Sequence, residues 1–321
     1  MQQLILRRLL WLIPVLFVIS IITFTLMHIA PGGPWDRDVG RRQLPPAVIE
    51  NLNRKFHLNE PAWKQYVLYM WGAIRGDLGP SYQYKDRNVT DIMFAPPQGR
   101  PIWESRFGRT ATLGLLAFLI AVSLGLPLGI ISALKQNTII DYGSLFFATI
   151  GNATPGFVMA IFLMLIFGLM LHWFPIAPTN WDGWKPWVLP TVALCLGLMA
   201  YLARMTRATM LEAIRQDYIR TARSKGLSER VVIVRHALKN ALIPVATVLG
   251  PALAGLITGS FFIEYMFSFP GMGRLYIQSV QQRDYSMIMG NTLFYAFLIA
   301  LANLAVDLVY GLLDPRIKVG K

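Results

Sequence analysis

Polar residues that stand inside long apolar runs are the first candidates for function in this sequence. Asn303 and Asp307 lie four residues apart in the last apolar run, and Asn152, Thr154 and Pro155 interrupt an earlier one. A polar side chain surrounded by lipid is costly unless it is paired, so such positions mark either a transport route or an internal pair. Both interpretations stay open: the five residues line a pathway or gate, or they pair with a basic loop or with backbone groups freed at the proline.

The sequence lacks the motifs of three kinds of chemistry. It contains no Gly-x-x-x-x-Gly-Lys-Ser/Thr loop for the phosphates of ATP, and neither His-Glu-x-x-His nor Gly-x-Ser-x-Gly. The one cysteine, Cys195, has no partner thiol, and no further metal-ligating residue stands at ligand spacing beside His28 or His172. We therefore predict no catalytic residue, no metal site and no cofactor bound by this chain.

Long apolar runs predict the elements that must carry these residues. Of 321 residues, 55% are hydrophobic and only 15% are charged, which is outside the ordinary soluble range. A helix needs about 20 apolar residues to cross a bilayer. Six segments meet or approach that length: 9–29, 111–134, 142–171, 187–203, 241–263 and 287–306. We predict an all-α integral membrane protein with six transmembrane helices, the third of them kinked at Pro155.

The basic residues predict the partners and the orientation. The net charge is +13, but Lys and Arg stand beside apolar runs and do not interleave with aromatics on a polar face. We expect membrane lipid and acidic protein surfaces as partners, and no nucleic acid. Short loops on one side hold only Lys185, Arg274 and Arg283, so the other side, with both termini, is predicted to be cytoplasmic.

The spans divide the chain into four predicted parts. Residues 1–30 form an N-terminal tail and the first helix, and residues 31–110 form an external cap between helices 1 and 2. Residues 111–313 form a five-helix core with a cytoplasmic loop at 204–240, and residues 314–321 form a cytoplasmic tail.

The loop at 204–240 is strongly basic and predicts two short helices that meet at Gly226. Ala222 and Gly226 are four residues apart, so they would leave a smooth helical face for another backbone to approach. Ser228 would cap the second helix, whose cationic side includes Arg230. These features fit either a groove on a protein partner or the anionic headgroups of a membrane.

The same loop carries a resemblance to a known family. Residues 222–227 read Ala-Arg-Ser-Lys-Gly-Leu, and residues 235–244 read Arg-His-Ala-Leu-Lys-Asn-Ala-Leu-Ile-Pro. This stretch resembles the cytoplasmic coupling loop of ABC importer permeases, in the variant of the dipeptide and oligopeptide permeases. Arg220 replaces a usual Glu and Lys239 a usual Pro, which favours the peptide branch. Further similar blocks lie at 30–34, 76–81, 269–274, 283–285 and 313–317.

The resemblance implies the type I ABC importer permease fold and a subunit that forms half of a translocation pathway for peptides. The implied partners are a second homologous permease subunit, two cytoplasmic ATPase subunits that hold ATP and Mg²⁺, and an external substrate-binding protein. That protein would deliver cargo onto the cap and the loops around Trp181 and Arg274, in a bacterial inner membrane. The residues implied to couple this chain to the ATPase are Arg220, Ala222, Arg223, Lys225, Gly226, Leu227, Ser228 and Arg230.

Other functions stay open from the sequence. Relatives in the same family carry nickel or glutathione, so either is an alternative cargo. A secondary transporter or channel that needs no ATPase, and a membrane-embedded hydrolase, are alternatives of other classes. Against the hydrolase, none of the six predicted spans carries a nucleophile beside a plausible base.

Overall fold

The computed structural model describes residues 2–35 and 45–313, and the side chains of residues 6–8, 10–35 and 45–305 among them. These residues form helices and loops with no β-strand, and an isolated antiparallel bridge joins Pro80 and Asn88. The all-α prediction is therefore confirmed. The predicted tail at 314–321 lies outside the described residues.

The helices follow one another as fourteen α-helical elements with short irregular helical pieces between them. A 3-10 turn at Ile102–Glu104 precedes α5, a π-helical segment at Met164–Met170 extends α7, and another at Val232–Ala237 joins α10 to α11. The α-helices are α1 Gln2–Ile29, α2 Pro46–Lys55, α3 Ala62–Ile74, α4 Val89–Phe94, α5 Arg106–Leu134, α6 Ile139–Ala153, α7 Gly156–Leu163, α8 Lys185–Ile214, α9 Asp217–Ser224, α10 Glu229–Val231, α11 Leu238–Thr258, α12 Phe261–Met266, α13 Met272–Gln281 and α14 Tyr285–Leu313.

Within the described residues, five helical stretches are long and apolar enough to cross a bilayer, or six if one bent pair counts as a span. The bent pair is Ile139–Ala153 with Gly156–Met170, and the helix direction changes by 109° between its two halves. The five stretches are Leu6–Ile29, Arg106–Leu134, Lys185–Ile214, Glu229–Met266 and Tyr285–Ala305. This confirms the prediction of a six-span helical membrane protein, provided that the bent pair is one span.

The break in the third span lies where the sequence predicts it, but it is much sharper than a kink. Thr154 has extended backbone angles, φ −89° and ψ 123°, as the residue before a proline prefers. Pro155 offers no N–H to continue the hydrogen bonds of α6, and α7 starts anew after it. The local sequence therefore ends one helix and begins another in a different direction.

The chain divides into two compact units. The first comprises Met1–Arg109 with Pro270–Leu301, and the second comprises Thr110–Phe269 with the chain from Ala302. The predicted division into a cap at 31–110 and a core at 111–313 follows the expected position of the membrane instead of these contacts, and it stays a prediction.

Partly buried aromatic rings pack against one another in the first unit. The Tyr82 ring stacks on Trp35 at a centroid distance of 5.3 Å and lies 4.3 Å from Phe56. The Trp35 indole N–H also donates to the side-chain oxygen of Asn53 at 2.8 Å. These contacts hold the loop around Tyr82 against the end of α2.

The second unit has an apolar core in which Phe267, Phe269 and Leu113 are fully buried. Trp181 joins this core: its side chain is 7% exposed and its ring lies 4.7 Å from that of Phe269. The indole packs edge-on against Phe269 and Trp187. That the loops around Trp181 and Arg274 receive cargo stays a prediction.

Close helix contacts in the second unit depend on glycines of α5. A Cβ atom at Gly129 would lie 2.5 Å from the carbonyl oxygen of Ala203 in α8, and one at Gly125 would lie 2.9 Å from that of Met199. Small residues let helices approach closely, which is a main source of packing energy when lipid surrounds them.

We predict that Gly129→Ala destabilises the protein, by about 1–3 kcal/mol, because the added methyl group overpacks the α5–α8 contact. Gly143→Ala in α6 is the matched control, since a Cβ atom there meets nothing within 4 Å. The control should be neutral or gain up to about 1 kcal/mol from the better helix propensity of alanine. Thermal unfolding of the two variants in detergent tests this; equal midpoints would contradict the close contact.

Candidate functional site

The loop between α8 and α11 contains a glycine turn of defined geometry. Gly226 has a φ of +75°, a left-handed conformation that glycine adopts without a Cβ penalty. Its N–H donates to the Arg223 carbonyl at 2.9 Å, and the Leu227 N–H donates to the Ala222 carbonyl at 3.4 Å. This pair of bonds is the Schellman motif, which ends α9 and satisfies carbonyl groups at its C-terminus.

The predicted break at Gly226 is confirmed, and the second helix after it is longer than predicted. Helix α10 continues through the π-helical segment into α11, so it is the beginning of a membrane-spanning stretch. Ser228 stands at the N-cap position of α10, but its side chain makes no capping hydrogen bond. Its carbonyl instead accepts the N–H groups of Val231 and Val232 at 2.9 and 3.0 Å.

One face of the loop packs on the chain itself. Ile219 and Ala222, one helical turn apart on α9, are buried with Met210 and Ala213 of α8 and Val232 after the turn. Ala222 was predicted on a smooth face that another backbone can approach; within this chain, its small side chain packs against residues of the same chain. The loop is therefore held in place from inside.

The opposite face of the loop is exposed and basic. The Arg223 guanidinium makes a two-point ion pair with Glu229 across the glycine turn, at 2.6 Å (Nη2 to Oε1) and 3.1 Å (Nε to Oε2). These hydrogen bonds raise the pKa of Arg223, which stays charged. Arg220 lies 3.5 Å from the exposed carboxylate of Asp217. Of the predicted coupling residues, the exposed ones are Arg220, Arg223, Lys225, Gly226, Leu227, Ser228 and Arg230.

Beside the loop lies a buried ion pair that the sequence reasoning missed. Asp141 at the start of α6 is fully buried, and it accepts hydrogen bonds from Arg207 of α8 at 2.6 and 2.7 Å. Ser132 at the end of α5 and the backbone N–H of Asn137 complete its partners, at 2.5 and 2.9 Å. The carboxylate thereby joins three helices. Both charged residues stand just outside the predicted apolar runs, where a search for carboxylates at span edges would have found Asp141.

We predict that Asp141→Asn costs about 3–5 kcal/mol, because it leaves the largely buried charge of Arg207 without its counter-charge. Asp217→Asn is the control, since it makes the same chemical change in an exposed pair worth about 0–1 kcal/mol. The midpoints of thermal unfolding in detergent provide the measurement. Combining Asp141→Asn with Arg207→Gln should recover part of the loss, and no recovery would contradict a charge effect.

The predicted pathway residues are dispersed along the chain. Asn152 and Pro155 are exposed and Thr154 is half-buried at the α6–α7 break, while Asn303 is exposed on α14. The side chain of Asp307 lies outside the described side chains. The structure brings none of these residues into a common site, and their role in a pathway stays a prediction.

Two other buried polar side chains were missed. Glu264 of α12 is fully buried and accepts a hydrogen bond from Thr110 at 3.1 Å. Asn291 of α14 is also fully buried, and neither atom of its amide has a hydrogen-bond partner in the described part of the chain. An unsatisfied buried amide is costly, so Asn291 joins the candidates for function. Among the described residues, no group of three His, Cys, Asp or Glu side chains is placed to hold a metal ion.

Three of the sequence blocks that carry the family resemblance meet in the first unit. Asp284 of block 283–285 is buried and accepts a hydrogen bond from Ser81 of block 76–81. It also accepts the backbone N–H of Tyr82 at 3.1 Å, and that of Met287 in the first turn of α14 at 3.1 Å. Arg283 then reaches back to the Gly33 carbonyl of block 30–34 at 3.3 Å. One carboxylate thus fixes a loop and a helix start that lie 203 residues apart.

Comparisons with solved structures show which known proteins have a similar fold. One solved structure with this fold is an amino acid ABC transporter with histidines; its TM-score is 0.52, its identity is 22%, and the match covers 67% of this chain and 94% of that one. Another is the MetNI methionine ABC transporter; its TM-score is 0.51, its identity is 17%, and the match covers 65% of this chain and 94% of that one. The helical fold of this chain is thus shared with chains of two solved ABC transporters.

Two protein-family models and the similarity to known proteins show the family of this chain. Residues 125–319 match the binding-protein-dependent transport system inner membrane component, and residues 1–87 match the N-terminal part of such a component. The chain belongs to this family, whose members are membrane permease subunits and not catalytic ones. It is 43% identical to the oligopeptide transport system permease protein OppB of Escherichia coli (strain K12) over 99% of this chain and 100% of that one. It is 44% identical to the dipeptide transport system permease protein DppB of Bacillus subtilis (strain 168) over 95% and 94%. The predicted family is confirmed.

Proposed function

We propose that this chain is a membrane-spanning permease subunit of an ATP-driven importer and forms half of a translocation pathway for peptides. The observation that carries the proposal is the 43% identity to an oligopeptide permease along essentially the whole of both chains. The exposed basic loop with its turn at Gly226 supports the proposal, because it gives an ATPase partner a surface of defined shape to bind.

The proposed site of action is a bacterial inner membrane, with both termini in the cytoplasm. Six spans return the chain to the side on which it started. The basic residues of 204–240 then lie on the cytoplasmic side, as their positive charge favours. Residues 31–110 would face the outside, in reach of a protein that delivers cargo.

The proposed partners are the other subunits that an ATP-driven importer needs and this chain does not provide. It has no phosphate-binding loop, so ATP and Mg²⁺ would be held by two cytoplasmic ATPase subunits. A second homologous permease subunit would provide the other half of the pathway. An external substrate-binding protein would present the peptide.

The buried contacts suggest how movement of the loop reaches the membrane. The loop is continuous with α8 on one side and, through α10, with α11 on the other. Arg207 of α8 is tied to Asp141 of α6 by two short hydrogen bonds. A displacement of the loop by a closing ATPase would therefore move α6 together with α8, and α6 is the first half of the sharply bent third span.

We predict that Gly226→Val uncouples ATP hydrolysis from transport while the complex still assembles in the membrane. A valine in the left-handed conformation is strained by about 1–2 kcal/mol, so the Schellman turn opens and the exposed face changes shape. Gly226→Asn is the matched variant, because asparagine tolerates this conformation and nothing lies within 4 Å of a Cβ atom there in this chain. It should keep most of the coupling. The measurement is ATP hydrolysed per peptide imported in proteoliposomes.

Each outcome of that comparison bears on a different step. Normal coupling in Gly226→Val would reject the loop as the docking element. Equal loss in both variants would show that added volume, and not backbone conformation, is what the partner rejects.

We predict that the tagged chain, purified in mild detergent, brings with it ATPase subunits and a second six-span chain. The recovered complex, reconstituted with its binding protein, should import labelled peptides only when ATP is supplied. Uptake of nickel or glutathione without peptide uptake would overturn the cargo, and a well-folded chain that purifies alone would overturn the ABC importer assembly.

A further inference from the structure

Helix α3, in the region expected to be an external cap, contacts the first membrane span far from its end. The Tyr66 ring lies 5.4 Å from that of Phe24 and 6.5 Å from that of Phe17, both on α1. The Tyr66 hydroxyl is 2.7 Å from the hydroxyl of Ser20, which is itself fully buried. All these residues belong to the first unit.

The position of Ser20 gives the depth of this contact. Ser20 is nine residues before Ile29, the end of α1, which corresponds to about 13 Å along a helix. Half of the hydrocarbon core of a bilayer measures about 15 Å. With Ile29 at the level of the headgroups, the Tyr66 hydroxyl would lie within the hydrocarbon core.

The hydrogen bonds at this point are those that a lipid environment requires. The Ser20 hydroxyl donates to the Phe17 carbonyl at 2.7 Å, so it is free to accept from Tyr66. Lipid offers no partner to a hydroxyl group, and both hydroxyl groups here are satisfied inside the protein.

The other side of α3 carries a continuous apolar stripe. Trp63, Val67, Trp71 and Ile74 follow one another at helical spacing and are 70%, 54%, 58% and 76% exposed. None of these four residues is charged. Such a face in water would be unfavourable, whereas Trp at the edge of a membrane is a preferred arrangement.

Cations flank the stripe. The Arg75 guanidinium lies 4.3 Å from the centre of the Trp71 ring, and Lys64 pairs with Glu60 at 2.9 Å. Long basic side chains beside a buried apolar face reach back to lipid headgroups. On α1, Ile22 and Leu26 are also exposed apolar residues, at 52% and 62%.

We propose that α3 is an interfacial helix that inserts the stripe of Trp63, Val67, Trp71 and Ile74 into the lipid leaflet around the Ile29 end of α1. Its occupant is lipid: acyl chains against the stripe and headgroups against Arg75. The first part of the cap thus belongs to the membrane-embedded structure, and only the remainder projects beyond it. The proposal requires a multi-span protein but no particular cargo.

The test measures where the stripe lies in a bilayer. In a Cys195→Ala background, Val67→Cys and Ile74→Cys each receive a nitroxide spin label in the complete complex in proteoliposomes. Ile22→Cys on α1 is the lipid control, and Asp86→Cys, whose side chain is 86% exposed in a loop, is the water control. Collisions with oxygen, which concentrates in lipid, are compared with collisions with a nickel chelate, which stays in water.

We expect both stripe labels to follow the lipid control, with more collisions with oxygen than with the chelate and a depth of about 5–10 Å below the phosphates. Labels that follow Asp86→Cys would place α3 in water and overturn the proposal. Labels protected from both reagents would show that a protein, such as a second permease subunit, covers the stripe, and would overturn lipid as its occupant.

Discussion

The structure depends on the constraint that lipid offers no hydrogen-bonding partner, so a polar group at membrane depth is costly unless the chain itself satisfies it. Asp141 shows the result most fully: Arg207, Ser132 and a backbone N–H all serve one carboxylate. Glu264 with Thr110 and Tyr66 with Ser20 follow the same rule. Because these pairs join different helices, satisfying the polar groups also fixes how the helices pack.

The same constraint limits where a membrane-spanning helix can break. At Gly259, with φ +89°, α11 ends, and the Ser260 hydroxyl accepts the N–H of Ile263 to start α12. A Cβ atom at Gly259 would collide with Glu264 and Thr110, so the break and the buried carboxylate depend on each other. Discontinuous helices in transporters are tolerated where the backbone is buried in protein or lines a cavity. The breaks at Pro155 and Gly259 are discontinuities of this kind within the membrane-spanning stretches.

The elements could be predicted from the sequence because apolar runs, prolines and glycines act locally. The predicted end of the fourth span at 203 falls short of Ile214, because the last turns of α8 are amphipathic and bury only Thr206, Met210 and Ala213. The tertiary pairs could not be predicted. Asp141 and Arg207 are 66 residues apart, and a single sequence gives no sign that they meet. A helical wheel likewise groups Ala222 with its neighbours but does not say whether that face packs inward or outward.

The fixed shape of the loop bears on the two interpretations that its basic composition left open, a protein groove and anionic headgroups. Attraction to anionic headgroups needs positive charge near the surface and little else. This loop has more than charge: a glycine turn closed by two backbone bonds, a two-point ion pair between Arg223 and Glu229, and a buried face at Ile219. These contacts all lie within the chain, so they offset the entropy cost of ordering the loop and give its exposed face one shape. A defined shape is what a complementary protein groove requires, and docking in such a groove stays a prediction.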